Sequence, residues 1–421
     1  MEGPLSNIVV LDLTRILAGP WCTRLLKDLG AKIIKVEPPN GGDATRTFKH
    51  RINNPTTKRT ASTYFATVNN GKESICLDLK NDEDRAIFEK LLARSDVLVE
   101  NYRPGVMERL GYSWDFIHAQ NQQLVYCRIS GFGQTGPLSK YGAVDTIIQA
   151  GSGILAATGH GKDMGGNVRA GVAISDILAG VYAANAVQAG IISRQSTNVG
   201  TMVSKLNLKK KMSSLLTHHS FIRYALQVDI SMLDCSIASA CIPLAQYGGS
   251  GENPQLIGNR NPVSAPFDAY TCKDGKQVVI SAGKPKDWNA LCQLSQQEHL
   301  LEDEKFKTFS ARVQNHAELS DALAPGMLLY TCDEWLEKCR NLNIPCGPVN
   351  KSSDIAKDEH VIARNMAIKT EDGKFLVSGN PFKFSSFPNI VTSTRPNPPE
   401  LNENRNDILT FIKQTKVKSR M

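Results

Sequence analysis

The chain is short of the signals that would place it quickly. None of its ten cysteines forms a Cys-x-x-Cys pair, so neither a zinc ribbon nor a thioredoxin-like redox motif is written in it. Cys22, Cys76, Cys127, Cys235, Cys241, Cys272, Cys292, Cys332, Cys339 and Cys346 are scattered through apolar or mixed segments, as reduced, buried thiols are. The residues given show no secretory apolar segment and no Arg-rich leader. One apolar run, Ala170 to Ile192, has the length of a membrane span. Asp176, Asn185 and Gln188 interrupt it and it is rich in Gly and Ala, so a closely packed buried helix is expected and no membrane partner. The turn after the first strand, Thr14 to Pro20 (TRILAGP), lacks Gly-x-Gly-x-x-Gly, which argues against a dinucleotide site there. Walker, Gly-x-Ser-x-Gly and His-Glu-x-x-His motifs are missing too.

What is present is ordinary globular material. The 421 residues are 41% hydrophobic and 21% charged, enough for a full core and for more than one domain. The formal charge of +8 suits anionic small molecules. Its lysines and arginines are spread along the chain and no zinc-finger or RNA-binding signature accompanies them, so nucleic acid is not an expected partner.

Strand and helix signals alternate. Asn7 to Leu13 reads as a buried strand, Trp21 to Leu29 as a helix stopped by Gly30, and Ala31 to Val36 as a second strand. The series continues with strands at Ser74 to Leu79, Val97 to Glu100 and Leu124 to Ile129, and a helix at Asp82 to Ala93. That alternation predicts an α/β fold with a doubly wound parallel sheet. Farther on, helices are expected at Ala170 to Ser193 and Asp234 to Gln246. Gly-rich loops are expected at Tyr247 to Gly251 and Gly258 to Pro262, and a hairpin at Pro266 to Ala282. Trp288 to Leu294 and Cys332 to Asn341 read as helices of a smaller α+β domain, and Leu401 to Lys413 as a last helix. Thr197 to Tyr224 is polar and basic, with Lys209-Lys210-Lys211 and His218-His219, and reads as an insertion. The adjacent histidines have no partner at ligand spacing, so no metal is expected.

Several long blocks, in order, resemble the class III CoA-transferases, the group that includes formyl-CoA transferase, carnitine CoA-transferase and alpha-methylacyl-CoA racemase. They are LDLTRILAGPWCTRLLKDLGAKIIKVEPPNGGDATR, VENYRPGVMERLGYSW, ISGFGQTGPLSKYGAVDTIIQAGSGI with VRAGVAISDILAG, then VDISMLD, GNRNPVSAPFDAY and LNIPCGPVNKSSDI. The resemblance spans nearly the whole chain outside Thr197 to Tyr224 and is closest to the branch exchanging CoA between succinate and glutarate or hydroxymethylglutarate. It implies an interlocked homodimer and a mitochondrial location. It also implies acyl-CoA and dicarboxylates as substrates, with no permanently bound cofactor. The implied division is 1–225 as the large CoA-binding domain with 197–224 inserted, 226–350 as linker and small domain, and 351–421 returning to the large domain.

The resemblance also implies site residues. Asp176, just before a small-residue helix, matches the family's nucleophile. A carboxylate there can attack a thioester carbonyl and expel CoA thiolate; an Asp at a helix start is equally a plain cap. Ile16, Leu17, Ala18, Asn101, Tyr102 and Arg109 match CoA-contacting positions, and a further basic position is Pro38 here. Gly258 and Asn259 match a loop that closes over the intermediate, and Asp145 is a candidate for orienting substrate. The racemases' acid–base histidine is replaced in Ala143-Val144-Asp145 by a valine that takes no proton. A dicarboxylate acceptor calls for a cation, with Arg46, Arg103, Lys140 and Arg169 as candidates. Two other readings stay open: an acyl-CoA racemase or isomerase, and an acyl-CoA-binding variant inactivated by the insertion.

Overall fold

The computed structural model describes residues 3–53, 60–161, 165–197, 227–390 and 392–414. The chain divides into two units, one made of Met1–Ile154, Ala170–Glu252 and Glu359–Met421, the other of Leu155–Arg169 and Asn253–Asp358.

The first unit is built on six strands: β1 (Val9–Asp12), β2 (Lys32–Glu37), β3 (Glu73–Cys76), β4 (Val97–Glu100), β5 (Val125–Ser130) and β6 (Gln227–Ser231). Their order is β3-β2-β1-β4-β5-β6, with every neighbouring pair parallel. Strands covered on both faces must be apolar on both, and β4 and β5 are buried at every position. The sheet reverses its winding between β1 and β4, and a crevice at the carboxyl edge is the expected ligand site of such a sheet.

Two helices position the site. α1 (Ala18–Asp28) begins earlier than the sequence suggested, taking Gly19 and Pro20 into its first turn. Proline is tolerated there because the N–H it lacks would have had no helical acceptor. Gly19 is required by packing, since a Cβ would sit 2.4 Å from Cβ of Thr14. Beyond α2 (Asp82–Arg94) and α3 (Asp145–Gly151) comes the long α4 (Ile174–Thr197). α4 approaches α1 closely at Gly180, where a Cβ would lie 2.7 Å from the Ala18 carbonyl. Ala179, Ala183, Ala184 and Val187 of α4 join Val10, Ile33, Val99 and Val125 in one core cluster.

The segment expected as one helix over Asp234 to Gln246 is two, α5 (Met232–Ser239) and α6 (Cys241–Ser250), broken at Ala240. Pro243 forces the break, because its ring excludes the carbonyl of a continuing helix four residues earlier. Tyr247 to Ser250 is the last turn of α6 rather than a loop, and Gly251 ends it at φ 75°. The boundaries of the units also differ from those read in the sequence. β6 completes the first unit's sheet, while Leu155–Arg169 belongs to the second unit.

In the second unit β7 (Phe267–Thr271) and β8 (Gln277–Ser281) form an antiparallel hairpin turned at Gly275 (φ 74°), and β9 (Cys346–Pro348) pairs with β8. Around it pack α7 (Pro285–Leu294), α8 (His316–Met327) and α9 (Cys332–Asn341), burying Trp288 and Trp335 with Leu291, Leu319 and Leu323. The chain then re-enters the first unit, where its last described helix, α10 (Arg405–Lys413), packs on β3 and α2 with Ile408 buried in the core. Among the described residues no helix is long and apolar enough to cross a membrane. The insertion expected at Thr197 to Tyr224, with its histidine pair, lies outside the described residues beyond Thr197.

Candidate active site

The site begins at the end of β1. Asp12 is fully buried, and its carboxylate accepts from Thr14 N (2.8 Å), Thr14 Oγ1 (2.5 Å), Thr23 Oγ1 (2.7 Å) and Lys72 Nζ (3.0 Å). Burial alone would raise this carboxyl; Lys72, then Lys35 and the two hydroxyls, outweigh it and hold the pKa at about 2. Lys35, also fully buried, donates to the Thr14 carbonyl at 2.6 Å and pairs with Asp43 at 3.2 Å. These groups fix the path of the chain leaving the strand.

The next residues are clamped from two sides. The Asn101 side chain accepts from Arg15 N (2.9 Å) and donates to Arg15 O (2.8 Å). The Arg15 guanidinium lies 5.2 Å from the centre of the Tyr102 ring. Tyr102 is itself set by a 2.6 Å bond from its N–H to Glu100, whose pKa burial lifts to about 7 against the pull of Arg128. Ile16 has φ 69°, and its N–H donates to Asp43 Oδ1 at 3.3 Å.

Asp176 stands in the first turn of α4. Asp145, at the start of α3, accepts from Ser175 N at 2.9 Å and from Gln149 Nε2 at 2.7 Å. Gln149 in turn accepts from Ala170 N at 2.9 Å, so one buried amide and one carboxylate hold both approaches to α4. The half-buried Asp176 accepts from Ala18 N, the first N–H of α1, at 3.2 Å. Two helix N-termini therefore converge on one carboxylate, an arrangement that favours an anion and satisfies an otherwise unpaired N–H. Burial, then the charge of Asp145, nonetheless raise Asp176 to about 6, with the Ala18 N–H opposing. Tyr64 faces the same carboxylates. Burial and then Asp176, Asp43 and Asp145 push its phenol to about 12, so it remains a hydrogen-bond donor.

A cleft of about 430 Å³ opens at the carboxyl edge of β1, β2 and β3, lined among others by Thr14, Arg15, Pro38, Asp43, Lys80 and Tyr102. It lies by the winding reversal. The structure thus brings Ile16, Leu17 and Ala18 together with Asn101, Tyr102 and Asp176. Arg109 ends the single helical turn Val106–Arg109 and is exposed, with Nη1 3.2 Å from where a Cβ on Gly105 would stand. Of the acceptor candidates, Arg46 is already engaged. It binds both oxygens of Glu37 at 2.8 and 2.6 Å and the Pro399 carbonyl at 2.9 Å. Arg103 is packed on Gly142, Lys140 is exposed beside the Tyr141 ring, and Arg169 belongs to the second unit. Gly258 and Asn259 are also in the second unit. There Gly258 (φ 68°) donates to Gly159 O at 2.8 Å, and a Cβ would meet His160 Nδ1 at 2.6 Å.

Sequence reasoning missed Lys80, Asp43, Gln149 and Tyr64. Lys80 alone carried a usable signal: it is a cation just past a strand's carboxyl end, and it supplies positive charge to the cleft where Pro38 offers none. Among the described residues no three His, Cys, Asp or Glu side chains are grouped to hold a metal ion.

Fold and site together define a doubly wound α/β protein with a ligand cleft at its winding reversal and a tethered carboxylate at the entry of a small-residue helix. The chain belongs to CoA-transferase family III, whose model matches residues 5–226 and 224–405. It is 36% identical to the acetyl-CoA:oxalate CoA-transferase of Acetobacter aceti, over 96% of this chain and 94% of that one. It is 32% identical to the human succinyl-CoA:glutarate CoA-transferase, over 97% of this chain and 86% of the relative. A crystal structure of a CaiB/BaiF family protein from Brucella suis superposes with a TM-score of 0.83 at 31% identity, over 98% of this chain and all of that one. The protein is a class III CoA-transferase.

Proposed function

We propose that this enzyme moves CoA from succinyl-CoA to glutarate or a related dicarboxylate such as 3-hydroxy-3-methylglutarate, with Asp176 as the covalent carrier. The observation that carries the reading is the Asp176 carboxylate, half-buried at the junction of two helix N-termini. One Asp176 oxygen attacks the thioester carbonyl, the C–S bond breaks, and CoA leaves as thiolate, giving a succinyl–aspartyl anhydride. The thiolate then attacks the aspartyl carbonyl and releases succinate, leaving an aspartyl thioester. The acceptor carboxylate attacks that thioester, and returning thiolate takes the acceptor's acyl group and frees Asp176. The anhydride survives only where water is kept out. Closure over it is the role we assign to Gly258 and Asn259.

Ile16, Leu17, Ala18, Asn101, Tyr102 and Arg109 are assigned to CoA, joined by Lys80 for its phosphates. Asp145 orients Asp176 through Ser175 rather than touching substrate. Arg103 fits the acceptor's distal carboxylate better than Arg46, whose guanidinium is spent on Glu37. The dicarboxylate acceptor is favoured because the two similar enzymes above are named for oxalate and for glutarate. On the branch resemblance we place the protein in mitochondria.

We further propose a homodimer. α6 has no buried residue, and Ile242, Leu244 and Tyr247 are exposed on it, with Val181 and Ile192 exposed on α4. Apolar groups in that density mark a covered face, and a second copy is the occupant proposed. Sedimentation is expected to give a dimer, with Ile242→Asp shifting it towards monomer; a monomeric parent contradicts the assignment.

The assay for the reaction is a panel of succinyl-CoA and acetyl-CoA against glutarate, 3-hydroxy-3-methylglutarate, oxalate and acetate, with each CoA ester followed by mass spectrometry. Preferred transfer from succinyl-CoA to glutarate or 3-hydroxy-3-methylglutarate is expected. Equal transfer to acetate, or deuterium exchange at the acyl α-carbon without an acceptor, contradicts it.

A further inference from the structure

Six non-glycine residues have positive φ among those described, and Ile16 is the β-branched one among them. The left-handed region crowds a branched Cβ against the backbone, so such a residue stays there only when its surroundings impose it. The surroundings here are specific. Asn101 takes both the N–H and the carbonyl of the preceding residue, Arg15. Asp43 takes the Ile16 N–H. Two residues on, the Ala18 N–H lies on Asp176.

Asp43 is built to impose that turn. It is 3% exposed. Its Oδ1 also accepts from Thr45 N (3.0 Å) and Thr45 Oγ1 (2.8 Å), and its Oδ2 is paired with the fully buried Lys35 at 3.2 Å. Its backbone N–H is held by Glu37 at 2.9 Å. Lys35 in turn holds the Thr14 carbonyl, so the same ion pair grips the chain on both sides of the Arg15 clamp. A surface cap for the short turn at Ala44–Thr47 needs no such buried counter-ion.

We infer that Asp43 is a positioning residue for the transfer reaction: it holds Ile16 in the left-handed conformation, and that turn sets the Ala18 N–H on the Asp176 carboxylate. The inference rests on the reading of Asp176 as nucleophile and adds the device that aims it. It makes a specific prediction about glycine. Glycine adopts positive φ without steric penalty, so a loop with glycine at position 16 needs Asp43 less.

The test is a double-mutant cycle of Asp43→Ala and Ile16→Gly. The readouts are the rate at which hydroxylamine traps the acyl enzyme formed from succinyl-CoA, the KM for succinyl-CoA, and the thermal midpoint. Asp43→Ala is expected to slow trapping about tenfold or more with Ile16 present, because a small misplacement of a reacting group is costly. In the Ile16→Gly background the same change is expected to cost less than about threefold, a coupling of about threefold or more that exceeds simple additivity. The drop in thermal midpoint is expected to be the same in both backgrounds, since it reports the Lys35 pair. Should Asp43→Ala fail to fold because Lys35 is left unpaired, the cycle is run on Lys35→Met, which removes the stranded charge. Equal fold-losses in the two backgrounds would overturn the inference and leave Asp43 as structural support. An active parent protein that shows no Asp176-dependent trapping would overturn the nucleophile reading, and this inference with it.

Discussion

The backbone N–H of Ala18 donates to Oδ1 of Asp176 at 3.2 Å, joining the first turns of two helices 158 residues apart in sequence. The bond makes one helix start the cap of another, and it places the loop after β1 against the carboxylate. Only the parallel sheet makes the meeting possible, because it delivers the ends of its strands and the starts of its crossover helices to one edge.

The first prediction concerns pH. In the proposed mechanism Asp176 attacks as the carboxylate, and burial followed by the Asp145 charge holds its pKa at about 6. The rate of acyl-enzyme formation is therefore expected to fall below pH 6. Asp145→Asn keeps an acceptor for Ser175 N and removes the like charge, so the acid limb is expected to move downward. Single-turnover rates across the pH range check both. A limb that stays in place in the variant separates Asp145 from the titration of Asp176.

A second prediction separates the two substrates. Lys80 lines the cleft at the carboxyl edge, among residues that do not include Asp176. Lys80→Ala is expected to raise the KM for succinyl-CoA about tenfold, the value of a charge-assisted phosphate contact of roughly 1.4 kcal/mol, with the KM for glutarate unchanged. Initial-rate kinetics with each substrate varied in turn give the answer. A change confined to the acceptor would move Lys80 to the other half of the site.

The third prediction concerns stability. Lys72 is fully buried against Asp12, and Lys72→Met removes the cation bonded to that carboxylate, leaving it to Lys35 and the Thr14 and Thr23 hydroxyls. Loss of one member of a buried pair costs about 3–5 kcal/mol, which urea unfolding at pH 7 measures. In the parent protein the folded Asp12 pKa of about 2 lies below its unfolded value, so its stabilisation is complete above about 4 and is lost as pH falls through 2. The gap between parent and variant is thus expected to narrow between pH 4 and 2. A gap independent of pH would assign the loss to packing.

The fold was readable where single segments decide it. Val9 to Leu11, Ile33 to Ile34 and Val97 to Val99 are short apolar runs set between turn and helix signals, as strands covered on both faces are, and Gly30 marks a helix end by its own chemistry. Pro243 carried a readable warning that the helix through it would break. What stayed hidden depends on partners far apart in the chain. Nothing near Asp43 reveals that it meets Lys35 and Ile16, and nothing near Gln149 reveals the Ala170 N–H. β6 reads as an isolated strand until its pairing with β5 places it in the first unit. At the candidate site, Asp176 was singled out through whole-block resemblance, because an Asp opening a helix is by itself only a cap.

The central claim is that Asp176 carries the acyl group, and covalent trapping tests it most directly. The enzyme is mixed with succinyl-CoA without acceptor, quenched with hydroxylamine, digested, and mapped by peptide mass spectrometry. A hydroxamate at Asp176, lost in Asp176→Ala together with transfer to glutarate, is the predicted result. Transfer at the parental rate by Asp176→Ala, or a hydroxamate on another residue, would contradict it.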